Sequence, residues 1–363
     1  MTAPGCNSTA FSPVPRAADI FVGRQFFRKD GSVTTQQDCD RDSDLLEAIH
    51  SNRWGIVLEQ LDWQNRRFSI IRPLVDPVVP IAGGPMKGAI IRSAHDPNMA
   101  YYRGQYLLVF ECSISNGQGF GIDGTSACMG AYDPATRQVA LDSLYVVVSG
   151  EHTDGKRQFH SVSVPQLLVF GGRLFLYWSE ITVQDRRFAR IGVRGAELQA
   201  DGRGFYWVEG VGHLAYSLGP STTEVWAPYP GNPLADTAVD IKSVWVHSGK
   251  IIALSGLGGG GCAAPGPQPG CFRMAIAASS DPLGYHTFNR SPLLDESQLP
   301  TNPQNYTRPI RNPSGGYSLL GDFFNPTQNG YSEVRPVPPK WNSQRNHQIV
   351  IFPLPDTNLW PTE

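Results

Sequence analysis

His95-Asp96-Pro97-Asn98-Met99-Ala100-Tyr101-Tyr102-Arg103-Gly104-Gln105-Tyr106-Leu107-Leu108-Val109-Phe110-Glu111 reads as a β-hairpin. A carboxylate precedes an alternating strand, a glycine turn follows, and a second, apolar strand leads away. The layout recurs. Gly104, Gly172, Gly249 and Gly316 each lie between two strand-like runs, at spacings of 68, 77 and 67 residues. A second unit, strand, polar turn, strand, recurs between these hairpins. It spans 56–74 around Asp62-Trp63-Gln64-Asn65 and 129–147 around Asp133-Pro134-Ala135-Thr136. It returns at 191–208 around Gln199-Ala200-Asp201-Gly202 and at 274–294 around Asp281-Pro282-Leu283-Gly284, with a last half-copy at 347–354. Asp, Asn, Pro and Gly in these turns pre-set the required dihedrals.

A period this long with two strands in each half is the blade of a β-propeller. The fold expected is therefore all-β, a five-bladed propeller with four antiparallel strands per blade. Five blades over 363 residues give about 73 residues each, near the observed spacing. One inner hairpin is missing from the glycine series. It should precede residue 56, with 20–33 as the candidate. The repeat makes 1–363 a single domain, because a propeller must close to protect its edges, with an arm of about 1–50 packing on it or closing it. Only 43–50, behind a candidate cap at Ser43, reads as helix.

Composition agrees. Gly 38 and Pro 30 are spread among many short strands. A formal net charge of -2 offers no general attraction to nucleic acid or anionic membrane. No apolar run approaches the roughly 20 residues of a membrane helix. The six cysteines fall into near pairs, Cys262 with Cys271, Cys112 with Cys128, and Cys6 with Cys39. Paired cysteines fit an oxidising compartment, so a secreted or periplasmic location is expected. Met1–Cys6 has neither the basic start nor the apolar run of an export signal, so such a segment would have been removed. Cytosolic buried thiols are the competing reading.

The segment from Asp96 to Phe110 resembles the first-strand signature of the five-bladed glycosidases, glycoside hydrolase family 43 and its furanosidase relatives. Ser163-Val164-Pro165-Gln166-Leu167 through Gly172 to Ser179, and Asp240-Ile241-Lys242-Ser243-Val244-Trp245 through Gly249 to Leu254, are similar to later blades of that fold. The resemblance covers about residues 95 to 325. It implies that first strands converge on an axis, so that carboxylates at their starts meet although distant in sequence. Two such groups are what glycoside hydrolysis needs, one acid for the leaving oxygen and one base or nucleophile. By position, Asp96 matches the family's general base and Asp240 a second axial carboxylate. Where the family carries its acid ahead of a Gly-Pro, this chain has Ser163-Val164-Pro165.

The replacement acid must then come from elsewhere, and Glu111, which shares a hairpin with Asp96, is the first candidate. Glu180, Glu151 and Asp322 are others. His95, His160, Gln166, Trp226 and Asp322 are expected to bind substrate, the exposed loop aromatics by stacking on sugar C–H faces. No cofactor is expected, though His95 and His160 are placed to hold a metal at the axis. The partner expected is a carbohydrate, with arabinan-like furanosides leading, and the protein is expected to be a monomer. Two readings compete with the hydrolase. One is a carbohydrate-binding propeller that has lost its acid. The other is a transglycosylase, phosphorylase or lyase built on the same mouth.

Overall fold

The structure, a computed structural model, describes residues 8–13, 19–25, 54–64, 67–76, 79–83, 86–115, 125–148, 160–184, 187–197, 239–258, 272–280, 282, 287–289, 302–306, 309–311, 313–324 and 348–353. They form five antiparallel sheets taken in chain order. The first holds β1 (Ser8–Pro13), β2 (Asp19–Gln25), β3 (Trp54–Asp62) and β4 (Arg67–Val75). The second holds β5 (Ile90–Tyr102), β6 (Gln105–Ser115) and β7 (Thr125–Asp133). Its outer edge is broken into β8 (Gln138–Val139) and β9 (Tyr145–Val148), both paired to β7. The third holds β10 (His160–Phe170), β11 (Arg173–Gln184) and β12 (Arg187–Glu197). The fourth holds β13 (Val239–His247), β14 (Lys250–Gly258), β15 (Phe272–Ser279) and β16 (Thr287–Asn289). In the fifth, β17 (Asn302–Tyr306) and β18 (Ile310–Arg311) share β19 (Tyr317–Phe324), which also pairs β20 (Gln348–Pro353).

The glycine series located the inner hairpins because their turns demand it. Arg103-Gly104, Gly171-Gly172 and Ser248-Gly249 all have positive φ at both positions. That is the two-residue turn whose twist matches the flanking strands, and glycine takes its second place without steric cost. In the fifth sheet the left-handed residue is Gly315. The hairpin ahead of residue 56 is present but begins earlier than 20–33, which its second strand overlaps. Its strands are β1 and β2, so part of the expected arm belongs to the first sheet itself. The helix at 43–50 and the turn at 199–202 lie outside the described residues.

Each first strand carries an extra residue at one shared place, and β5 carries a second between Ile91 and Ser93. The pairing slips between Ser8 and Phe11 in β1, His95 and Asn98 in β5, and Ser163 and Gln166 in β10. It slips likewise between Ile241 and Ser243 in β13, and Pro303 and Asn305 in β17. A β-bulge at the same station of all five sheets is a feature of the repeat, used to bend the strand and re-aim side chains.

Sheets stack face to face. One face of the second sheet, with Leu108, Phe110, Cys112, Cys128 and Tyr132, packs on Phe21, Ile56 and Leu58 of the first. Phe21 meets Tyr132 edge to face, ring centroids 4.8 Å apart. The other face, with Leu107, Val109, Ala127 and Met129, packs on Val162, Leu167, Leu176 and Trp178 of the third. Covered on both faces, β6 reads as a continuous apolar run instead of an alternation. Hydrogen bonds tie neighbouring sheets as well. Arg72 Nη1 donates to Thr136 O (3.1 Å), Thr125 Oγ1 to Val162 O (2.8 Å), and Tyr177 OH to Pro282 O (3.0 Å). Among first strands, β1 lies beside β5, β5 beside β10, β10 beside β13, and β17 beside both β13 and β1.

Cys112 and Cys128 form a disulfide between β6 and β7, as their spacing suggested, Cα atoms 5.9 Å apart. Cys112 pairs with Ser126 and Cys128 with Phe110, so the bridge runs diagonally within one core face. The other cysteines lie outside the described residues. Closing a loop of this size is worth about 3 kcal/mol in the chain-entropy account. The double variant Cys112→Ala/Cys128→Ala is expected to lose about that much stability in urea unfolding. An unchanged midpoint would remove the bridge from the list of stabilising features.

Candidate functional site

The site is made by the bulge in β5. Up to the turn the strand alternates regularly, with Ala100 and Tyr102 facing the third sheet and Met99 facing the first. Asn98, two residues before Ala100, shares its face. The extra residue at 96–97 then shifts the alternation. His95, three residues from Asn98, therefore pairs with Glu111 and faces the same way as Asn98 and Val109. Asp96 occupies the bulge itself with φ 50°, a left-handed conformation that Asp tolerates better than most residues.

Three candidates thus converge. The ligand-capable atoms of His95, Asp96 and Glu111 all lie within 4.8 Å of one another. His95 Nδ1 is 3.7 Å from Glu111 Oε1 and 3.9 Å from Asp96 Oδ2, both ion-pair distances and longer than a hydrogen bond. Asp96 and Glu111 are buried and His95 is partly exposed. Glu111 Oε2 accepts a hydrogen bond from Val164 N (3.2 Å), so the carboxylate also reaches the third sheet.

Val164 holds the matching bulge of β10. It too has φ 50° and precedes a proline, as Asp96 precedes Pro97. The two bulges are clamped to each other. Asn98 Nδ2 donates to Gln166 Oε1 (2.6 Å), and Leu167 N donates to Asn98 Oδ1 (2.8 Å), all buried. Gln166, expected as a substrate ligand, is here half of this clamp. Sequence reading missed Asn98, although a signal was there. Pro97-Asn98 and Pro165-Gln166 are separated by the same 68 residues as Gly104 and Gly172. It also missed Glu59, fully buried in β3.

The remaining candidates are placed by backbone alone or lie outside. Counting back eight positions from Arg103, Gly171 and Ser248 reaches His95, Ser163 and Asp240. Asp240, paired with Gly256, thus stands at the station of His95, one residue before that of Asp96. Glu180 pairs with Val162, one place beyond Ser179, the counterpart of Glu111. His160 pairs with Thr182 near the start of β10, and Asp322 with Asn305 on β19. Trp226 and Glu151 lie outside the described residues.

The electrostatics of the cluster centre on His95. Burial disfavours its charged form, but the Glu111 charge, and then the Asp96 carboxylate, outweigh it and lift His95 to about 9. The ring is therefore an imidazolium at neutral pH. Its ordinary value is 6.5, so the folded state binds this proton more tightly than the unfolded chain. The resulting stability, about 3 kcal/mol at most, is fully present below about 6.5 and fades as pH rises through about 9. His95→Gln should flatten the fall in urea midpoint between pH 7 and pH 10. A wild-type midpoint that stays constant over that window would contradict this assignment.

No family model matches the chain, and no curated protein matches it. Solved structures do. A thermostable family 43 glycoside hydrolase aligns with TM-score 0.53 at 10% identity, covering 90% of this chain and 88% of that one. A family 43 enzyme from Xanthomonas citri complexed with xylotriose aligns with TM-score 0.53 at 12% identity, covering 98% and 89%. An α-L-arabinofuranosidase from Lactobacillus brevis gives TM-score 0.51 at 10% identity, covering 95% and 90%. At such identities the likeness is one of fold. The chain has the all-β fold of the family 43 glycoside hydrolases, as the resemblance of its hairpins implied. Among the described residues no helix is long and apolar enough to cross a membrane.

Proposed function

We propose that this protein is a glycoside hydrolase whose five sheets are blades closed about an axis, with the β5 bulge at the working mouth. The contacts of β17 with β1, which return the last sheet to the first, support the closure. The observation that carries the function is the His95–Asp96–Glu111 cluster on a first-strand bulge, its two carboxylates buried, in a fold shared with family 43 enzymes. Asp96 is the base, taking the proton of the attacking water. Glu111 stands within 4.8 Å of it, too near to leave room for a water and a sugar between them as inversion needs. Its carboxylate is committed to His95 and Val164 N, so it positions the base. Asp240, on the first strand of the fourth sheet, is then the acid for the leaving oxygen.

Pentose glycans are the substrate class, because solved neighbours include an arabinofuranosidase and a xylotriose complex. The test is release of reducing sugar from arabino- and xylo-oligosaccharides, with the anomer of the first product followed by NMR. Turnover with an inverted product is expected. A retained anomer would contradict the pairing of Asp96 as base with Asp240 as acid.

A second reading is a carbohydrate-binding propeller without turnover. It is favoured by Ser163-Val164, which brings no carboxylate to the β10 bulge that matches Asp96. Affinity for an oligosaccharide with no hydrolysis across the panel would select it.

A further inference from the structure

The same cluster has the composition of a metal centre, and this goes beyond the hydrolase reading. We propose that His95 Nδ1 and the carboxylates of Asp96 and Glu111 form a binding site for one divalent transition cation of the zinc or cobalt type. The geometry is the first reason. Tetrahedral ligand atoms about 2.1 Å from an ion are about 3.4 Å apart. The 3.7 and 3.9 Å from Nδ1 to the two carboxylates are within about half an ångström of that, and all three ligand atoms lie within 4.8 Å of one another, so an ion would draw them together.

The donor set is the second reason. One imidazole nitrogen with two carboxylate oxygens suits zinc, cobalt or manganese better than calcium, which prefers oxygen alone and more of it. An ion bound at Nδ1 displaces the ring proton to solvent, and the two carboxylates then supply two negative charges for the divalent ion to balance. The third reason is the support around the ligands. Val164 N holds Glu111 Oε2, which leaves Oε1 turned toward His95. Such outer hydrogen bonds orient metal ligands and fix their lone pairs. The Asn98–Gln166 clamp holds the bulge that carries Asp96. His95 is about one-fifth exposed, which gives an ion an entry path, and three protein ligands leave a position open to water or substrate. Two strands, β5 and β6, supply all three ligands through one cross-strand pair and its adjoining bulge.

Ion binding and hydrolysis would compete for Asp96, so the experiment reads binding and not turnover. The full chain, freed of metal with a chelator, is titrated with zinc by calorimetry. One ion per chain at micromolar or tighter affinity is expected. Glu111→Gln should weaken it by at least about tenfold, whereas His247→Gln, on the fourth sheet, should not change it. Cobalt added to the wild-type protein should give visible d–d bands of a low-coordinate site, absent in His95→Gln. No stoichiometric uptake, no cobalt bands in the wild type, or equal zinc affinity in Glu111→Gln would each overturn the site. Loss of the hydrolase reading would leave these results untouched.

Discussion

Asp96→Asn is expected to lower kcat/KM on arabino- or xylo-oligosaccharides by about 10³-fold while the protein stays folded. The side chain keeps its size and its place in the bulge. What it loses is the capacity to take a proton from water. General base catalysis contributes roughly 10² to 10⁴ in rate, which sets the size of the loss. Glu111 is spent on Val164 N and His95. KM should change little, because Asn retains the polar contacts open to a bound sugar. Thermal unfolding of the variant, compared with wild type, separates a chemical loss from a folding loss. A variant that hydrolyses its substrate at the wild-type rate would move the chemistry away from this bulge. Asp240→Asn should cost as much only if it is the acid, and activated aryl glycosides, whose leaving groups need little protonation, should then rescue it.

Asn98→Ala is expected to be the most damaging single change to stability near the site, by about 3 kcal/mol. It removes the donor held by Gln166 Oε1 and the acceptor held by Leu167 N. Each buried polar group that loses its partner costs roughly 1–3 kcal/mol. Gln166→Ala removes only one of the two bonds and should cost less. The pair should be strongly non-additive in a double-mutant cycle, since both contribute to one contact. If the two costs simply add, the clamp is not acting as a unit. Because the clamp fixes the bulge, kcat should fall about 10- to 100-fold alongside stability, by misplacement of Asp96. An Asn98→Ala protein of reduced stability but full kcat would show that the bulge holds itself.

Legibility in the sequence followed the range of the interaction. The hairpins at Gly104, Gly172 and Gly249 were readable because a two-residue turn with positive φ writes glycine into a fixed place. The first hairpin was set too late because the sequence between β1 and β2, Val-Pro-Arg-Ala-Ala at 14–18, contains no glycine. Asp96 was readable from its Pro neighbour and its distance to the turn. Glu111 could be named but not understood, since its partner at Val164 comes from stacking the second sheet on the third. The matching of His95 with Glu111 was hidden for a different reason. Alternation predicts faces only while the count is unbroken, and a bulge adds one to it.

That added residue has a further consequence. Without it, β5 would alternate unbroken from His95 to the turn, and the residue following His95 would fall opposite Phe110. Phe110 lies on the face filled by Leu108, Cys112 and the apolar side chains of the first sheet. Removing Pro97 alone would thus roll the Asp96 carboxylate half a turn about the strand axis, away from His95 and Glu111 and into oil. Every side chain of the cluster would survive in the sequence, and the cluster itself would be gone.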